Sequence, residues 1–439
     1  MKFLKAFNFA VSVGTFAFLP FKVGATVHFT GNEWTGRNGA EDVFAVNREP
    51  ASCNPVPYHS TEAAIEAVWD YNAREKSNYL QMLTGEKENW DLVVEQNLSK
   101  AQSHINAGCF KPEYQPSSDH GWKTVQLPRS WTSQGFDFSI YTNVDQPWQS
   151  RYDGNVPVPQ APTNYNPVGI YRKKFTLKSS MRQPGRRIYL EFDGVESAYY
   201  VYINGEAVGY SEDTFSPHRF DVTDLLLNDG VNTLAVQVHK FCDGTWFEDQ
   251  DMIYDGGIFR DVFLVSAPEV QIRDYTVRTD LDNSFTSSTL EISMDIRNLS
   301  GASKNSWSVT AEAYDEAGNN ILNGSSTRLD RLNSGRDGNS VIKTTVKSPK
   351  LWSAETPNIY ALVLKLIDDS GNVQEILSSQ LGFRKIGFTR AEVDWAYRLT
   401  TNRWQPITIN GKRLLIKGVN RHDSDRFYGR AVPQKTLRE

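Results

Sequence analysis

Cysteine is scarce in this chain. Its 439 residues contain three, Cys53, Cys109 and Cys242, and these are widely separated. An odd, scattered set excludes a disulfide framework, and no pair has the close spacing of a zinc motif. The sequence therefore predicts free thiols, or at most one incidental bridge.

The chain also lacks an excess of basic residues. Its 47 Lys and Arg stand against 52 Asp and Glu, which gives a formal net charge of −5. Without basic clusters, this balance argues against a nucleic-acid partner. A hydrophobic content of 39%, with 12% aromatic residues, supports packed cores and excludes wholesale disorder. The length has room for two to four domains.

Long apolar runs are absent after the first residues. Residues 6–21 are mostly apolar, follow Lys2 and Lys5, and precede small residues at 23–25 where a signal peptidase could cut. The run is shorter than the roughly 20 residues of a membrane-spanning helix. We therefore expect residues 1–25 to be a cleaved signal peptide rather than a membrane anchor, and the protein to be secreted or at the cell surface, without a stable membrane anchor.

The most distinctive stretch is residues 241–265, in which carboxylates lie among aromatic side chains. Such a mixture suits a sugar, because the oxygens accept hydroxyl protons and the rings cover the apolar face. The alternative is a solvated acidic loop between strands. A calcium loop that starts at Asp249 is excluded, because Ile253 and Tyr254 stand where a ligand and a glycine are needed. The residues concerned are Asp243, Trp246, Phe247, Glu248, Asp249, Asp251, Tyr254 and Asp255.

Residues 26–110 are mixed in character and are predicted as an N-terminal extension. Ser60, followed by Thr61 and Glu62, predicts the start of a helix that Gly85 could end. The apolar residues 92–94 predict a short strand.

Residues 111–268 have the pattern of a jelly-roll sandwich. Apolar and polar residues alternate over 187–193, which predicts a half-buried strand. Asn204-Gly205 lies between two strand-like runs and predicts a hairpin, because both turn positions favour positive φ. A further strand is predicted at 258–265. Many short antiparallel strands in one region are typical of jelly rolls.

Two units follow Pro268. Alternating segments within residues 269–387 predict about seven strands, which is the content of an immunoglobulin-like β-sandwich. In residues 388–439, Asn410-Gly411 predicts a small hairpin that leads into an apolar strand at residues 414–419. A polar cluster at 420–423 and a helix start near Val432 follow. Strand, polar loop and helix form the opening unit of a parallel α/β fold. The predicted fold class is therefore mainly β, with one β/α unit at the end.

Five segments together carry a resemblance to a known family. In these segments the chain resembles glycoside hydrolase family 2 and, within it, the large microbial β-galactosidases. The segments are Leu127-Pro-Arg-Ser-Trp-Thr-Ser-Gln-Gly-Phe136 with Ile140-Tyr-Thr-Asn-Val144, Asn166-Pro-Val-Gly-Ile-Tyr-Arg172, Glu248-Asp-Gln-Asp-Met252 with Gly257-Ile-Phe-Arg-Asp261, Leu351-Trp-Ser-Ala-Glu-Thr-Pro-Asn-Ile-Tyr360, and Gly418-Val-Asn-Arg-His-Asp423.

The resemblance implies a sugar-binding jelly roll like galactose-binding domains, an immunoglobulin-like domain, and a (β/α)₈ TIM barrel of which residues 388–439 are an incomplete start. It also implies a retaining hydrolase of terminal non-reducing β-D-galactosides, such as lactose, and a homo-oligomer of the full-length enzyme. The nucleophile and the acid/base, about 5–5.5 Å apart in retaining enzymes, are expected beyond Glu439. Glu392 and Glu439 match neither, so the chain alone is expected to be inactive.

Three positions match the galactose subsite of the family. The resemblance implies that Asn143, Asp251 and His422 bind the substrate, and that Asp251 also ligates sodium, a hard cation suited to oxygen ligands. Magnesium is implied as well, with ligands beyond Glu439. Arg426 departs from the pattern, because the family usually has Pro shortly after its histidine.

Two alternatives stay open. The chain could be a non-catalytic pair of β-sandwiches that binds carbohydrate or acts as a scaffold. It could also belong to an enzyme of another specificity in the same family, such as a β-glucuronidase or a β-mannosidase. The Tyr-Thr-Asn-Val and Asp-Gln-Asp-Met segments favour a galactosidase.

Overall fold

The computed structural model describes residues 27, 29–36, 43–44, 46–149, 153–248, 251–322, 324–388 and 406–438. The predicted signal segment 1–25 lies outside these residues, as do Asp249, Glu392 and Glu439. The prediction of a mainly β chain is confirmed, because two sandwiches contain most of the described elements. Among the described helices, none is both long and apolar enough to cross a membrane.

Helix α1 (Thr61–Trp69) begins where the sequence predicts. The Ser60 hydroxyl caps it by accepting a hydrogen bond from the Ala63 amide at 3.1 Å. The helix ends at Trp69, well before Gly85, because Asp70 takes an extended conformation with φ −126° and ψ 109°. Its buried Ala64 packs against Val363 of the second sandwich.

The jelly roll consists of a four-stranded and a six-stranded antiparallel sheet, with one large apolar core formed from their side chains. The four-stranded sheet has the order β1-β14-β6-β10 and the six-stranded sheet β3-β2-β5-β11-β8-β9, while β4 pairs with β12 and β7 with β13. Helix α2 (Leu98–Asn106) follows β2. The strands are β1 (Leu80–Met82), β2 (Asn89–Glu95), β3 (Lys123–Gln126), β4 (Ile140–Thr142), β5 (Val168–Phe175), β6 (Arg186–Phe192), β7 (Val195–Glu196), β8 (Ala198–Ile203), β9 (Glu206–Ser211), β10 (His218–Asp221), β11 (Asn232–His239), β12 (Met252–Tyr254), β13 (Gly257–Ile258) and β14 (Val262–Pro268).

Strands β1 and β2 belong to this sandwich, although the sequence pattern assigns residues 26–110 to an extension. Leu80 pairs with Val265, and Leu92 pairs with Tyr171. A sheet edge gains stability from any segment that supplies its missing hydrogen bonds. Such distant pairing leaves no local signature in the sequence.

The hairpin prediction at Asn204-Gly205 is confirmed, with φ of 53° and 88° at the turn. The half-buried prediction for β6 is wrong, because its polar-face residues are buried too. Glu191 forms an ion pair with Arg219 at 2.6 Å and Tyr189 is 1% exposed. Other parts of the chain cover the outer face of this sheet, and burial of that kind cannot be read from local alternation.

The second sandwich has the seven strands that the sequence predicts. The sheets have the orders β15-β16-β19 and β18-β17-β20-β21 and enclose a separate apolar core. The strands are β15 (Val270–Leu281), β16 (Ser287–Asn298), β17 (Ser308–Tyr314), β18 (Ser325–Arg328), β19 (Arg336–Lys347), β20 (Tyr360–Ile367) and β21 (Val373–Leu381).

The last described part begins with a small sheet of β22 (Ile386–Phe388), β23 (Ile407–Ile409) and β24 (Lys412–Arg413). The Asn410-Gly411 hairpin is confirmed, and the Asn410 side-chain amide donates to the Trp352 carbonyl at 3.0 Å. Residues 414–419 do not form the predicted strand. A strand of a parallel sheet requires neighbouring strands on both sides. Among the described strands, none pairs with residues 414–419. A short helix, α3 (Gln434–Arg438), follows.

Replacement of Gly256 should destabilise the jelly roll. Gly256 has φ +87°, and a Cβ atom there would lie 2.4 Å from the Trp131 indole, whereas Gly185 has φ +75° with open space around it. Gly256→Ala should lower the free energy of unfolding by about 2–4 kcal/mol, from backbone strain plus overpacking. Gly185→Ala should cost about 1 kcal/mol, from strain alone. Urea unfolding followed by circular dichroism measures both, and equal losses would contradict the close-packing argument.

Candidate functional site

The stretch 241–265 leaves the six-stranded sheet after β11 and is held at its start by Asn166. The Asn166 side chain donates to the Phe241 carbonyl at 2.8 Å and accepts from the Phe241 amide at 2.9 Å. Asn166 is buried, so these bonds satisfy both its amide and a backbone that has left the strand ladder. This contact fixes where the acidic stretch departs from the sheet.

The aromatic side chains of the stretch mostly pack inside the protein. Trp246 meets Trp148 edge-on, with ring centroids 5.4 Å apart, and donates its indole N–H to the Gln160 carbonyl at 2.8 Å. Tyr254 is buried in the same cluster, whereas Phe247 is 91% exposed. The expectation that the rings cover a sugar is therefore not supported for Trp246 and Tyr254, because packing occupies them.

Two carboxylates of the stretch serve the fold. The buried Asp255 accepts hydrogen bonds from the hydroxyls of Thr132 at 2.9 Å and Ser139 at 2.5 Å. Glu248 accepts from the amide and the hydroxyl of Thr214 at 2.6 and 2.7 Å, and burial raises its pKa. These bonds fix both carboxylates against the jelly roll.

Two residues at the start of the stretch, Cys242 and Asp243, cluster with Glu212. The carboxylate oxygens and the thiol sulfur of the three lie within 4.8 Å of one another. Burial, and then the hydrogen bond with Asp243, raises the pKa of Glu212 to about 8. Burial also raises the pKa of the Cys242 thiol. Near neutral pH Glu212 and Cys242 therefore hold their protons. In this protonated state Glu212 can share a hydrogen bond with Asp243.

The structure brings Asn143 and Asp251 together at the end of a two-stranded ribbon. Strands β4 and β12 are antiparallel, and their terminal pair is Thr142 with Met252. Asn143 directly follows Thr142 and Asp251 directly precedes Met252, so both lie at this end of the ribbon, and both are exposed. The Tyr141 hydroxyl donates to Asp251 Oδ1 at 2.5 Å, which orients the carboxylate and raises the pKa of Tyr141.

His422 is exposed and lies in a segment without regular secondary structure. The hydrogen bonds and ion pairs of the described residues include none between His422 and Asn143 or Asp251. The chain after His422 does return to the jelly roll, where Arg129 Nε donates to the Phe427 carbonyl at 2.8 Å. His422 thus lies on a segment anchored to the domain that carries the other two residues.

Three residues around this site are not indicated by any local sequence pattern. Tyr141 lies inside a quoted segment, but only the register of β4 and β12 shows that it bonds Asp251. Glu196 and Arg430 form an ion pair, with Oε1 and Nη2 3.5 Å apart. The two come from distant parts of the chain, and no local pattern indicates their pairing.

The donor atoms at the ribbon are of the kind that sodium accepts. Asp251 offers a carboxylate and Asn143 an amide oxygen, and hard cations prefer oxygen ligands. The residue types therefore fit sodium, and its remaining ligands would come from outside the ribbon.

Glu212 should make the stability of the chain depend on pH. Its pKa rises from the ordinary 4.5 to about 8 in the folded state. The folded state then binds the proton more tightly, so the stabilisation is complete below pH 4.5 and is lost as the pH rises through about 8. The Gln side chain of Glu212→Gln is neutral at every pH. The variant should therefore not show the fall in the free energy of unfolding, on the order of a few kcal/mol, that Glu212 causes as the pH rises. Urea unfolding between pH 5 and pH 8.5 measures it. The exposed Glu113→Gln should leave the slope unchanged, and parallel curves for Glu212→Gln and the parent would contradict the assignment.

Three models of one family match the chain in succession. The model described as the sugar binding domain of glycosyl hydrolases family 2 matches residues 98–268. The model described as glycosyl hydrolases family 2 matches residues 270–384, and that of the family's TIM barrel domain matches residues 401–439. The three matches follow the order of domains that the sequence analysis predicts.

Similarity to individual β-galactosidases covers most of the chain. It is 38% identical over 414 residues to a β-galactosidase of Priestia megaterium, a match that covers 93% of this chain and 36% of that protein. It is 33% identical over 401 residues to a β-galactosidase of Halalkalibacterium halodurans, with 91% of this chain and 35% of that protein covered. The chain thus spans about a third of the length of these relatives.

Solved structures agree in fold. A Bacteroides uniformis β-glucuronidase has a TM-score of 0.62 at 21% identity, over 82% of this chain and 37% of that one. A Bacteroides vulgatus β-glycosidase has a TM-score of 0.55 at 23% identity, over 81% and 38%. Identity at this level shows the fold alone. The three family models, together with the two relatives above 30% identity, show that the chain belongs to glycoside hydrolase family 2.

Proposed function

We propose that this chain is the part of a secreted β-galactosidase that holds the terminal, non-reducing galactose of a β-galactoside. The observation that carries the proposal is the ribbon of β4 and β12, which sets Asn143 beside Asp251 at one exposed edge. The β-galactosidases that are 38% and 33% identical to the chain support this specificity.

Asn143 and Asp251 offer complementary hydrogen bonds to a sugar. The carboxylate of Asp251 accepts from hydroxyls, and the amide of Asn143 both donates and accepts. Because Tyr141 orients the carboxylate before the sugar arrives, less ordering is needed on binding. Sodium held by Asp251 and the Asn143 amide oxygen would offer a positive centre to a galactose hydroxyl oxygen.

His422 would add a contact from the third domain. Its exposed imidazole can donate to or accept from a hydroxyl, depending on its tautomer. A hydrogen bond of this kind contributes to catalysis where it becomes stronger as charge develops in the transition state.

The reacting carboxyl groups would come from the part of the relatives that this chain does not span. Retaining hydrolysis needs an acid and a nucleophile about 5–5.5 Å apart, and the family places both in the later barrel, together with the ligands of magnesium. The contribution of this chain is therefore binding and orientation of the sugar. The segment 1–25 would direct the enzyme out of the cytoplasm.

A chimeric enzyme tests the role of Asp251. In the chimera this chain replaces the matching N-terminal part of the Priestia megaterium β-galactosidase, and hydrolysis of p-nitrophenyl β-galactoside is measured with and without sodium. Asp251→Asn keeps the shape and removes the charge that the cation needs. We expect the variant to lose about 2–4 kcal/mol of transition-state stabilisation, so that kcat/KM falls roughly 30- to 1,000-fold. The kcat/KM of the variant should also no longer depend on sodium.

The matched control is Asp145→Asn, which changes an exposed carboxylate two residues after Asn143. It should leave both kcat/KM and the sodium response unchanged. Equal, small effects of the two variants would rule out the assignment. Faster hydrolysis of p-nitrophenyl β-glucuronide would instead indicate the other specificity, and galactose binding without hydrolysis of either substrate would favour a binding fragment.

The 439-residue chain alone should not hydrolyse p-nitrophenyl β-galactoside, because it carries no residue assigned as nucleophile or acid. The absorbance of released p-nitrophenol, compared with a buffer blank, measures this. Turnover by the pure chain above the blank would contradict the assignment of catalysis to the later barrel.

A further inference from the structure

Residues 425–429 form a compact turn after His422. The Asp425 amide donates to the Gly429 carbonyl at 2.7 Å, and the Gly429 amide donates back to the Asp425 carbonyl at 2.9 Å. The Asp425 carboxylate accepts from the Phe427 amide at 2.7 Å, which lowers the pKa of Asp425. These internal bonds hold the turn in one shape.

The turn rests on the jelly roll at Ser130. The Ser130 amide donates to the Tyr428 carbonyl at 3.2 Å, and its hydroxyl accepts from the Arg430 amide at 3.1 Å. Gly429, with φ +66°, approaches so closely that a Cβ atom would lie 2.7 Å from Ser130 Oγ and 2.8 Å from Asp255 Oδ2. Backbone bonds and close packing therefore fix the turn against this loop.

The Arg430 side chain continues into the jelly roll. Its guanidinium donates to the Ile253 carbonyl and lies 3.5 Å from Glu196 Oε1, and the two charged side chains are 9% and 4% exposed. The guanidinium also lies 5.4 Å from the ring centroid of Phe215 and 5.8 Å from that of Phe259. A planar cation with several donors suits this combination of a carbonyl, a carboxylate and aromatic rings.

Glu196 links this contact to the end of the ribbon. Its other oxygen, Oε2, accepts from the amides of Gly256 at 2.8 Å and Asp255 at 3.3 Å, which directly follow β12. The cavity left beside Glu196 and Arg430 measures about 10 Å³, which has room for about one water molecule.

We infer that Arg430 is a positioning residue, which ties the segment of His422 to the ribbon that carries Asn143 and Asp251. Its guanidinium contacts the carbonyl of Ile253 in β12, the strand that begins beside Asp251, while its own backbone leads to His422. The bonds of Ser130 and Arg129 hold the turn against a neighbouring loop, whereas Arg430 is the side chain that connects it to β12 itself. That these contacts bind galactose rests on the proposed function, whereas the Arg430 contact itself does not.

Distance measurement between two spin labels tests the inference in the 439-residue chain. The labels are placed by Val144→Cys, next to Asn143, and Val419→Cys, near His422, at positions 77% and 88% exposed, in a chain with Cys53→Ser. The parent should give one narrow distance distribution by pulsed electron paramagnetic resonance. Arg430→Met should at least double its width, and Arg430→Lys should restore part of the order. Arg426→Met is the matched control, because this exposed arginine contacts the ring of Phe427 in its own turn.

The thermal midpoint and hydrogen exchange of β11 establish that each variant is folded. If Arg430→Met does not fold, Glu196→Gln removes the charge opposite Arg430 at nearly constant shape and should broaden the distribution in the same way. An unchanged distribution in a folded Arg430→Met or Glu196→Gln chain would overturn the inference, as would equal broadening by Arg426→Met.

The chimeric enzyme gives a second readout. Arg430→Met should lower kcat/KM for p-nitrophenyl β-galactoside at least tenfold, Arg430→Lys less, and Arg426→Met should have no effect. If the parent chimera does not hydrolyse the galactoside, the proposed function fails while the label distances still decide the role of Arg430. If the distances do not change, the inference fails and the proposed function stands.

Discussion

The close approach of Trp131 to two glycines is the constraint on which the site depends. A Cβ atom at Gly169 or Gly256 would lie 2.5 or 2.4 Å from Trp131 atoms, respectively. The indole can occupy this space only because the backbone there carries no side chain. The packed position of the Trp131 indole fixes the loop that contains Arg129 and Ser130. The same packing fixes the backbone that follows β12. Packing against Trp131 therefore fixes the position of both the ribbon and the turn after His422.

Several residues of the five family segments act by capturing backbone groups at junctions. The Asn166 side chain binds both backbone polar groups of Phe241, and the Arg129 side chain binds the Phe427 carbonyl. Backbone that leaves a sheet loses its ladder partners, and a buried polar group without a partner is costly. Side chains with fixed donors restore those bonds and define where one element meets the next. These side chains of the family segments thus serve the fold, and through it they place the parts of the site.

Local pattern predicted the parts of the fold that depend on neighbouring residues. The turns at Asn204 and Asn410 follow from positive φ, and the cap of α1 follows from Ser60. What failed depended on distant partners, as at Glu191, whose strand is covered on both faces. The resemblance named Asn143 and Asp251, but their proximity and the bond from Tyr141 follow only from strand register. The partner of Arg430 could not have been identified from the sequence, because an ion pair across domains has no periodicity to read.

Burial separates the carboxylates of the stretch 241–265 into two kinds. Those of Asp255 and Glu248 accept bonds from nearby hydroxyls and amides, which satisfies them within the fold. Asp251 differs, because it is exposed and its one hydrogen-bonding partner named above, Tyr141, stands beside it on the paired strand. A charged group at the surface keeps its hydration and can exchange it for a ligand at small cost, whereas a buried carboxylate would first have to break protein bonds. Among the described carboxylates of this stretch, Asp251 is therefore the one whose surroundings suit it to a cation or a sugar hydroxyl.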